Sequence, residues 1–158
     1  MQTIKIGKTG VQSSRLAYGC MRIVGDASAE AREKGKAAVR AALEEGYTHF
    51  AHADIYSAGA SEELFGEVLR DEPGLRDRIV LTSKCGIRRI DPELAEAAWD
   101  APTQYDFSPA YIKASVEGSL QRLGMECLDF LLLHRPDYLF LAAEVAQAFA
   151  ELRDAGKV

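Results

Sequence analysis

Three residues with complementary chemistry each follow an apolar stretch of this sequence. Tyr56 stands just after residues 47–54, Lys84 follows residues 79–83, and His134 follows residues 128–133. A phenol can give a proton to a carbonyl oxygen, and an ammonium group beside it stabilises the phenolate that remains. A neutral imidazole can hydrogen-bond the same oxygen and orient the carbonyl group. Together the three residue types predict carbonyl reduction, provided that the fold brings them to one place.

Each of these residues also has a purely structural interpretation. Taken alone, Tyr56 is typical of a core aromatic at an interface, Lys84 of a solvated strand-end lysine, and His134 of a hydrogen-bonded histidine at a strand boundary. Their position after successive predicted strands favours function, because strand ends carry the reacting groups of parallel α/β folds. Asp54 and Asp137 are candidate site acids and, equally, candidate turn or capping residues.

Metal and thiol chemistry is less well supported. His49 and His52 lie three apart on a predicted strand and should face opposite sides, which disfavours a shared metal ion. The chain has three widely spaced cysteines, Cys20, Cys85 and Cys127. Their spacing indicates neither a disulfide framework nor a zinc site. Cys85 alone has a cationic neighbour, Lys84, and we do not expect it to be catalytic.

The elements that must position these residues alternate between short apolar runs and segments of helical period. The pattern predicts a hairpin at residues 3–13, strands at 16–19, 47–54, 79–83 and 128–133, and helices at 29–45, 61–69, 109–123 and 142–155. Ser28 and Ser108 are candidate N-caps, and glycines stand where three of the helices should end. Residues 84–107 form a long connection, which is usually functional. Four strand–helix units with apolar strands predict a parallel sheet covered by helices.

Periodicity alone does not separate an open, doubly wound sheet from part of a closed (β/α)8 barrel. The first predicted strand is not followed by a G-x-G-x-x-G sequence, which disfavours a dinucleotide site of Rossmann type. A doubly wound signalling or nucleotide-binding domain would predict an acidic cluster or a glycine-rich loop at that strand end. The sequence has neither.

Composition narrows the functional classes. The 158 residues are 47% hydrophobic, which suffices for one compact core. Nineteen basic residues against 24 acidic ones give a net charge of −5, which argues against a nucleic-acid-binding protein. No apolar run reaches the roughly 18 residues of a membrane span, and the N-terminus lacks the features of a signal peptide. We therefore expect a cytoplasmic protein with reduced thiols and no membrane partner.

Three motifs in combination resemble those of the bacterial aldo-keto reductases. They are the segment Ala51-His52-Ala53-Asp54-Ile55-Tyr56, the strand end Ser83-Lys84-Cys85-Gly86-Ile87, and the strand end Leu131-Leu132-Leu133-His134-Arg135-Pro136-Asp137. The likeness extends over the whole chain, including the opening hairpin. It implies a (β/α)8 TIM barrel of which residues 1–158 form the N-terminal half: four βα units preceded by a β-hairpin, either as a single domain or as a domain fragment.

The resemblance also implies an activity and a set of site residues. The family reduces aldehydes or ketones to alcohols with NADPH, so a small-molecule carbonyl substrate is expected. By this likeness Tyr56 is the acid, Lys84 its partner and His134 the residue that orients the carbonyl. The nicotinamide end of NADPH would lie against Gly19, Cys20, Met21 and Arg22. Trp99 and Tyr105 are candidate walls of the substrate pocket, or else loop residues packed on the barrel.

Two departures from the family pattern put the activity of this chain in question. The family has an aspartate five residues before the tyrosine, and Ala51 stands there. Without that carboxylate the lysine lacks its counter-charge, so we expect turnover to be lower by about 10² or more. Asp54 occupies a different position of the same segment and does not replace it.

The second departure is length. The chain stops where a fifth strand would begin, whereas TIM barrels commonly bind phosphate after strands seven and eight. A half barrel also has two open strand edges and an apolar inner face, which favour pairing with another chain. We therefore expect self-association or a complementary C-terminal half. The rival hypothesis is a catalytically inactive half barrel that serves as an interaction or assembly module.

Overall fold

The chain opens with the predicted hairpin. The structure, a computed structural model, describes residues 1–90, 102–135 and 137–158. Strands β1 (Thr3–Lys5) and β2 (Gln12–Ser14) are antiparallel, with Thr3 opposite Ser14. The backbone turns between them through Gly7 and Gly10, both at positive φ, where a residue without Cβ is not strained. The hairpin is tied to the rest of the fold by Ser14, whose backbone N–H donates to Thr48 Oγ1.

A four-stranded parallel sheet follows, and this confirms the predicted fold class. Its strands are β3 (Tyr18–Gly19), β4 (His49–Ala51), β5 (Val80–Cys85) and β8 (Phe130–Leu133), in the order β3-β4-β5-β8. Each strand but the last is followed by a helix before the next sheet strand. The helices are α1 (Ala29–Glu44), α2 (Ala60–Asp71) and α3 (Pro109–Leu123), and α4 (Ala142–Asp154) follows β8.

The helix boundaries follow local signals in the sequence. The Ser28 hydroxyl accepts from the backbone N–H of Ala31, and Ser108 caps α3 in the same way, with proline at the next position. Gly124 ends α3 in the left-handed conformation, where glycine is favoured. These caps satisfy backbone groups that a helix end would otherwise leave unpaired.

All four helices cover one face of the sheet. Consecutive helices contact each other, α1 with α2, α2 with α3 and α3 with α4. The core between helices and sheet is built from apolar side chains, among them Phe50, Leu64, Phe65, Leu81, Ile112, Val116, Leu120 and Leu128. This one-sided arrangement is that of a barrel and not of a doubly wound sheet, whose helices lie on both faces.

The opposite face of the sheet, which the sequence predicts to be apolar, carries several polar side chains. Because side chains alternate along a strand, His49 and Ala51 share this face with Thr82 and Lys84. The His49 Nε2 atom lies 2.7 Å from Thr82 Oγ1, and its Nδ1 lies 3.1 Å from Ser13 Oγ. The face therefore combines hydrogen-bonded polar groups with the lysine of the predicted site.

The long connection after β5 contains a structure that the sequence did not predict. Strands β6 (Ile87–Arg89) and β7 (Thr103–Tyr105) form a small antiparallel hairpin. Each has only three residues, too few for a recognisable alternation, and 13 positions separate them in the chain. Trp99, one of the predicted pocket walls, lies outside the described residues.

Candidate active site

The structure brings Tyr56, Lys84 and His134 together at the carboxyl end of the sheet. The Lys84 ammonium donates to the Tyr56 hydroxyl with Nζ and Oη 3.2 Å apart, and Nζ lies 4.9 Å from the centre of the phenol ring. The His134 ring meets the Tyr56 ring edge-on, with centroids 5.7 Å apart and an interplanar angle of 84°. The three groups therefore have the proximity that a proton donor, its cationic partner and a carbonyl-orienting residue require.

Tyr56 is placed by a tight turn between β4 and α2. It begins a short 3-10 turn, Tyr56–Gly59, in which Ser57 and Ala58 have positive φ values of 50° and 53°. A Cβ at Gly59 would lie 2.7 Å from the Cδ of Arg122, so this position also excludes a side chain. Left-handed backbone at non-glycine residues costs free energy and concentrates at functional sites.

His134 is held at the end of β8. Its backbone N–H donates to the carbonyl oxygen of Cys85, the residue after Lys84. Burial of the ring, helped by the positive charges of Lys84 and Arg135, lowers the pKa of His134 to about 4. The imidazole is therefore neutral at physiological pH, the state in which it can act as a hydrogen-bond donor without carrying charge.

Lys84 is bound by neutral partners. Besides the Tyr56 hydroxyl, its ammonium donates to the backbone carbonyl of His52. Within residues 1–90, 102–135 and 137–158, no carboxylate forms an ion pair with it. Ala51 lies on the same face as Lys84 and opposite Thr82 in the adjacent strand, a diagonal position from which a longer side chain could reach the ammonium.

The Asp54 carboxylate does not take over that role. Burial raises the pKa of Asp54 to about 6, partly offset by a hydrogen bond from Ser115, and the nearby charges are those of Glu62 and Arg122. It lines a cavity of about 320 Å³ with residues of α3 and of the β6–β7 hairpin, including Ile87, Tyr111 and Ser115. Sequence reasoning left Asp54 open as a site acid. Its backbone N–H donates to the carbonyl oxygen of Lys84, but its carboxylate lies with Ser115, Glu62 and Arg122 and forms no ion pair with the Lys84 ammonium.

A buried charge pair behind the site was missed in the sequence. Glu62 is fully buried and accepts from Arg122 Nε at 2.8 Å and from Ser83 Oγ at 2.6 Å. The bonds join β5, α2 and α3 immediately below the Tyr56 turn. Glu62 has the position of a solvent-facing acid in the first turn of a helix, so only its later partner, 60 residues away, reveals that it is buried.

The residues predicted to contact a nicotinamide differ in exposure. Gly19 ends β3, and a Cβ added there would meet no atom within 4 Å, which means that the space above it is open. Met21 is 54% exposed, and Arg22 is exposed beside a cavity of about 280 Å³. Cys20 has no exposed surface, and burial raises the pKa of its thiol.

Cys85, His49 and His52 do not have the settings of a reactive thiol or of a shared metal site. Burial raises the pKa of the Cys85 thiol to about 12, so it does not form a thiolate at neutral pH. His49 and His52 lie on opposite faces of the sheet, as predicted, and the described residues contain no group of three potential metal ligands. In the same ranges, no helix has the length and apolar character needed to cross a bilayer.

Three aromatic side chains pack on one another beside the end of β5. Tyr105 is 43% exposed and stacks on Phe107, and Phe107 meets the edge of Phe140. A Cβ at Gly86 would fall inside the Phe107 ring, so glycine lets this ring pack directly on the chain two residues after Lys84. Of this group, only Tyr105 was predicted.

Comparison with known proteins places this geometry in a family. The Aldo/keto reductase family matches residues 15–158. The chain is 38% identical over 158 residues to Oxidoreductase YdhF of Escherichia coli and 37% identical over 151 residues to 6-dehydroglucose reductase of Agrobacterium fabrum, covering 100% and 94% of this chain. These alignments cover 51% and 48% of the two relatives, so the chain spans about half of their length.

Comparison with solved structures leads to the same family. The fold matches aldo-keto reductase AKR11C1 from Bacillus halodurans in its holo form, with a TM-score of 0.83 and 29% identity, over 99% of this chain and 47% of that protein. It matches the glycerol dehydrogenase AKR11B4 from Gluconobacter oxydans equally well, with a TM-score of 0.83 and 30% identity, over 98% of this chain and 46% of that protein. The chain belongs to the aldo/keto reductase family and corresponds to about half of its TIM barrel.

Proposed function

We propose that this chain carries the proton-donating half of an NADPH-dependent carbonyl reductase site. The observation that supports the proposal is the hydrogen bond between Lys84 Nζ and Tyr56 Oη, with the His134 ring against the same phenol. A phenol, an ammonium and a neutral imidazole at one end of the sheet suit a carbonyl oxygen that gains a proton. The substrate would be an aldehyde or ketone, reduced to an alcohol.

Each residue has a defined part in this proposal. Tyr56 gives its hydroxyl proton to the carbonyl oxygen, and the Lys84 ammonium stabilises the phenolate that remains. His134, neutral because of burial, hydrogen-bonds the same oxygen and fixes the direction of the carbonyl group. Bound NADPH would supply the hydride for the carbonyl carbon.

The described residues fit the nicotinamide end of that cofactor. The open space above Gly19 and the exposed side chains of Met21 and Arg22 lie at the end of β3, at the same edge of the sheet as Lys84. A flat ring could approach the backbone of Gly19 without meeting a side chain. Cys20 would contribute packing beneath that surface, because it is itself fully buried.

Ala51 limits the activity expected of this site. A carboxylate at position 51 would lie on the Lys84 face of the sheet and supply the counter-charge that the ammonium lacks. With alanine there, we expect turnover to be lower by about 10² or more, the contribution of one acid–base component.

A titration of NADPH fluorescence against the purified chain tests the binding part of the proposal. Binding at micromolar concentration is expected, and Arg22→Ala should weaken it if the loop after β3 contacts the cofactor. Lys8→Ala, in the turn of the opening hairpin, is the matched control for loss of a surface charge. No change in fluorescence at any accessible concentration would favour the second candidate function.

That second candidate is an assembly module, and the sheet edges favour it. Among the described residues, β3 and β8 are end strands, and Leu132 of β8 is 48% exposed. Tyr138, Leu139 and Leu141, which follow β8, are more exposed still. Unpaired strand edges beside exposed apolar side chains are typical of surfaces that bind another chain.

The occupant we propose for these edges is a second copy of the chain. A two-fold axis along the strands would place β8 of one copy parallel to β3 of the other and close an eight-stranded sheet, the number found in a TIM barrel. Sedimentation equilibrium should then show a dimer that Leu132→Lys dissociates. Ile4→Lys, at a similarly exposed residue of the opening hairpin, should leave the dimer intact. A monomer at all concentrations would exclude the second copy and leave a complementary half as the partner.

A further inference from the structure

The Lys84 ammonium has no carboxylate partner among the described residues, and one of its acceptors is a backbone carbonyl. The ammonium donates one hydrogen bond to the carbonyl oxygen of His52 and one to the Tyr56 hydroxyl. Position 51, directly before this carbonyl, is an alanine. The location of the ammonium relative to the phenol therefore depends on where the backbone of His52 points.

The side chain of His52 fixes that backbone from the helix side of the sheet. His52 is fully buried, and its ring meets the Phe65 ring edge-on with centroids 4.7 Å apart. Its Nδ1 lies 3.3 Å from Ser61 Oγ in α2, and its backbone N–H donates to the carbonyl of Thr82 at 2.8 Å. The residue is thus anchored in two directions, to α2 and to β5.

The hydrogen bonds of Ser61 determine the tautomer of the His52 ring. The Ser61 hydroxyl donates to the carbonyl oxygen of Cys20 at 2.8 Å. A hydroxyl has one proton, so its oxygen can only accept from the histidine, and His52 must carry its proton on Nδ1. Burial lowers the pKa of His52 to about 3, which keeps the ring neutral.

Burying a histidine at this position costs free energy that is not needed for packing alone. Its Nε2 is buried and has no hydrogen-bond partner among residues 1–90, 102–135 and 137–158. An apolar side chain of similar size would avoid the cost of burying that nitrogen. What the imidazole provides and an apolar residue would not is the Nδ1–H bond to Ser61.

We propose that His52 is a positioning residue whose Nδ1–H bond to Ser61 fixes the backbone carbonyl that holds the Lys84 ammonium against Tyr56. A carbonyl carries no net charge, so it orients the ammonium without neutralising it, which a carboxylate at position 51 would do. The placement of Lys84 is a claim about the folded chain alone. Its consequence for proton donation rests on the function proposed above.

The tautomer is tested by nitrogen NMR on protein labelled at histidine. Long-range proton–nitrogen spectra, assigned with His52→Asn, should show a neutral ring protonated at Nδ1. A ring protonated at Nε2, or a charged ring at neutral pH, would overturn the proposal because Ser61 could then not be its acceptor.

The placement of the Lys84 ammonium is tested by the rate at which its protons exchange with water. In lysine-labelled protein, assigned with Lys84→Met, the Lys84 ammonium should exchange slowly with water. His52→Leu should speed that exchange by about tenfold, the factor that corresponds to one lost hydrogen bond. His52→Asn, whose side-chain amide can donate from a position close to Nδ1, should restore the slow rate.

Matched variants separate this effect from a general loss of packing. Leu81→Val removes a buried methylene from the same strand as Lys84 and should leave the exchange unchanged. Ser61→Ala removes the acceptor of the His52 proton and should match His52→Leu, which covers the case in which the leucine variant does not fold. Wild-type exchange rates in both variants, or a fast-exchanging Lys84 in the parent chain, would overturn the proposal. None of these readouts needs NADPH or turnover, so an inactive chain would count against the proposed function alone.

Discussion

Two charged side chains, one on each side of strand β5, are stabilised in different ways. On the helix side, Glu62 is fully buried and is bound by Arg122 and by Ser83 of β5. On the other side, Lys84 of β5 donates only to a carbonyl and a hydroxyl among the described residues. The first charge has an opposite charge at hydrogen-bond distance, and the second has neutral partners.

The difference separates a charge that maintains the fold from one that the fold does not depend on. The ion pair of Glu62 with Arg122 joins α2 to α3, so its removal would leave a charge buried without a partner. The Lys84 ammonium is bound by neutral groups, so its removal would leave no opposite charge buried without a partner. Substitution of the ion pair should therefore reduce stability strongly. Substitution of Lys84 should change stability little and remove activity.

The largest effect is expected from Arg122→Met. It leaves the Glu62 carboxylate buried and unpaired, and we expect the free energy of unfolding to fall by about 3–5 kcal/mol. Chemical denaturation at neutral pH measures it. Lys113→Met is the matched control, because its bond to Glu151 at 2.7 Å is between side chains that are each 44% exposed. That control should cost at most about 1 kcal/mol. Equal losses in the two variants would contradict the comparison.

A second effect is expected on acidification. The pKa of His52 is lowered to about 3 and that of His134 to about 4, so both rings take up a proton more readily in the unfolded chain. The unfolded state therefore binds more protons below about pH 6.5, and stability should fall as the pH drops from there to about 4. His52 alone should account for about 3 kcal/mol over this range.

The control for that pH dependence is His52→Asn, which removes the titrating ring and keeps a hydrogen-bond donor. The difference in unfolding free energy between the parent chain and this variant should shrink or reverse as the pH falls from 6.5 to 4. A constant difference across that range would show that His52 is not held neutral in the folded chain.

Asp54 should have the opposite pH dependence and a smaller effect. Its pKa is raised to about 6, so the folded chain binds its proton more readily, and the stability that it contributes is lost as the pH rises from about 4 to 6. Asp54→Asn should therefore stabilise the chain at pH 7 by about 1–2 kcal/mol and have little effect at pH 4. Thermal unfolding at the two pH values measures this, and destabilisation at pH 7 would refute it.

The smallest change in stability is expected from Lys84→Met. The substitution removes a half-buried charge that has no carboxylate partner among the described residues, so we expect the free energy of unfolding to change by less than about 1 kcal/mol. It should nevertheless abolish any carbonyl reduction. A loss of stability as large as that of Arg122→Met would mean that both charges serve the fold.

Much of the fold could be predicted because its signals are local. Ser28, Ser108 and Gly124 marked helix ends through caps that act within one turn. The proximity of Tyr56, Lys84 and His134 could be predicted from one rule, that parallel strands end at the same edge of a sheet. The bounds were less accurate, since the second sheet strand covers His49–Ala51 instead of residues 47–54.

What could not be predicted depends on partners that are distant in the sequence. In the sequence, Glu62 has the position of an exposed acid at the start of a helix, and only its contact with Arg122 shows that it is buried. The three-residue strands of the β6–β7 hairpin are too short to have a recognisable pattern. The hydrogen bond from Lys84 to the backbone of His52 has no signal in residue types at all, because every residue has a carbonyl. Such contacts follow only from the assembled sheet.

The most direct test of the proposed site is aldehyde-dependent oxidation of NADPH by the chain with Ala51→Asp, with and without Tyr56→Phe. Restoring the carboxylate beside Lys84 should raise the rate by about 10² or more over the parent chain, and removing the phenol hydroxyl should abolish that gain. An Ala51→Asp chain no faster than its parent, or one as fast without the Tyr56 hydroxyl, would contradict the account.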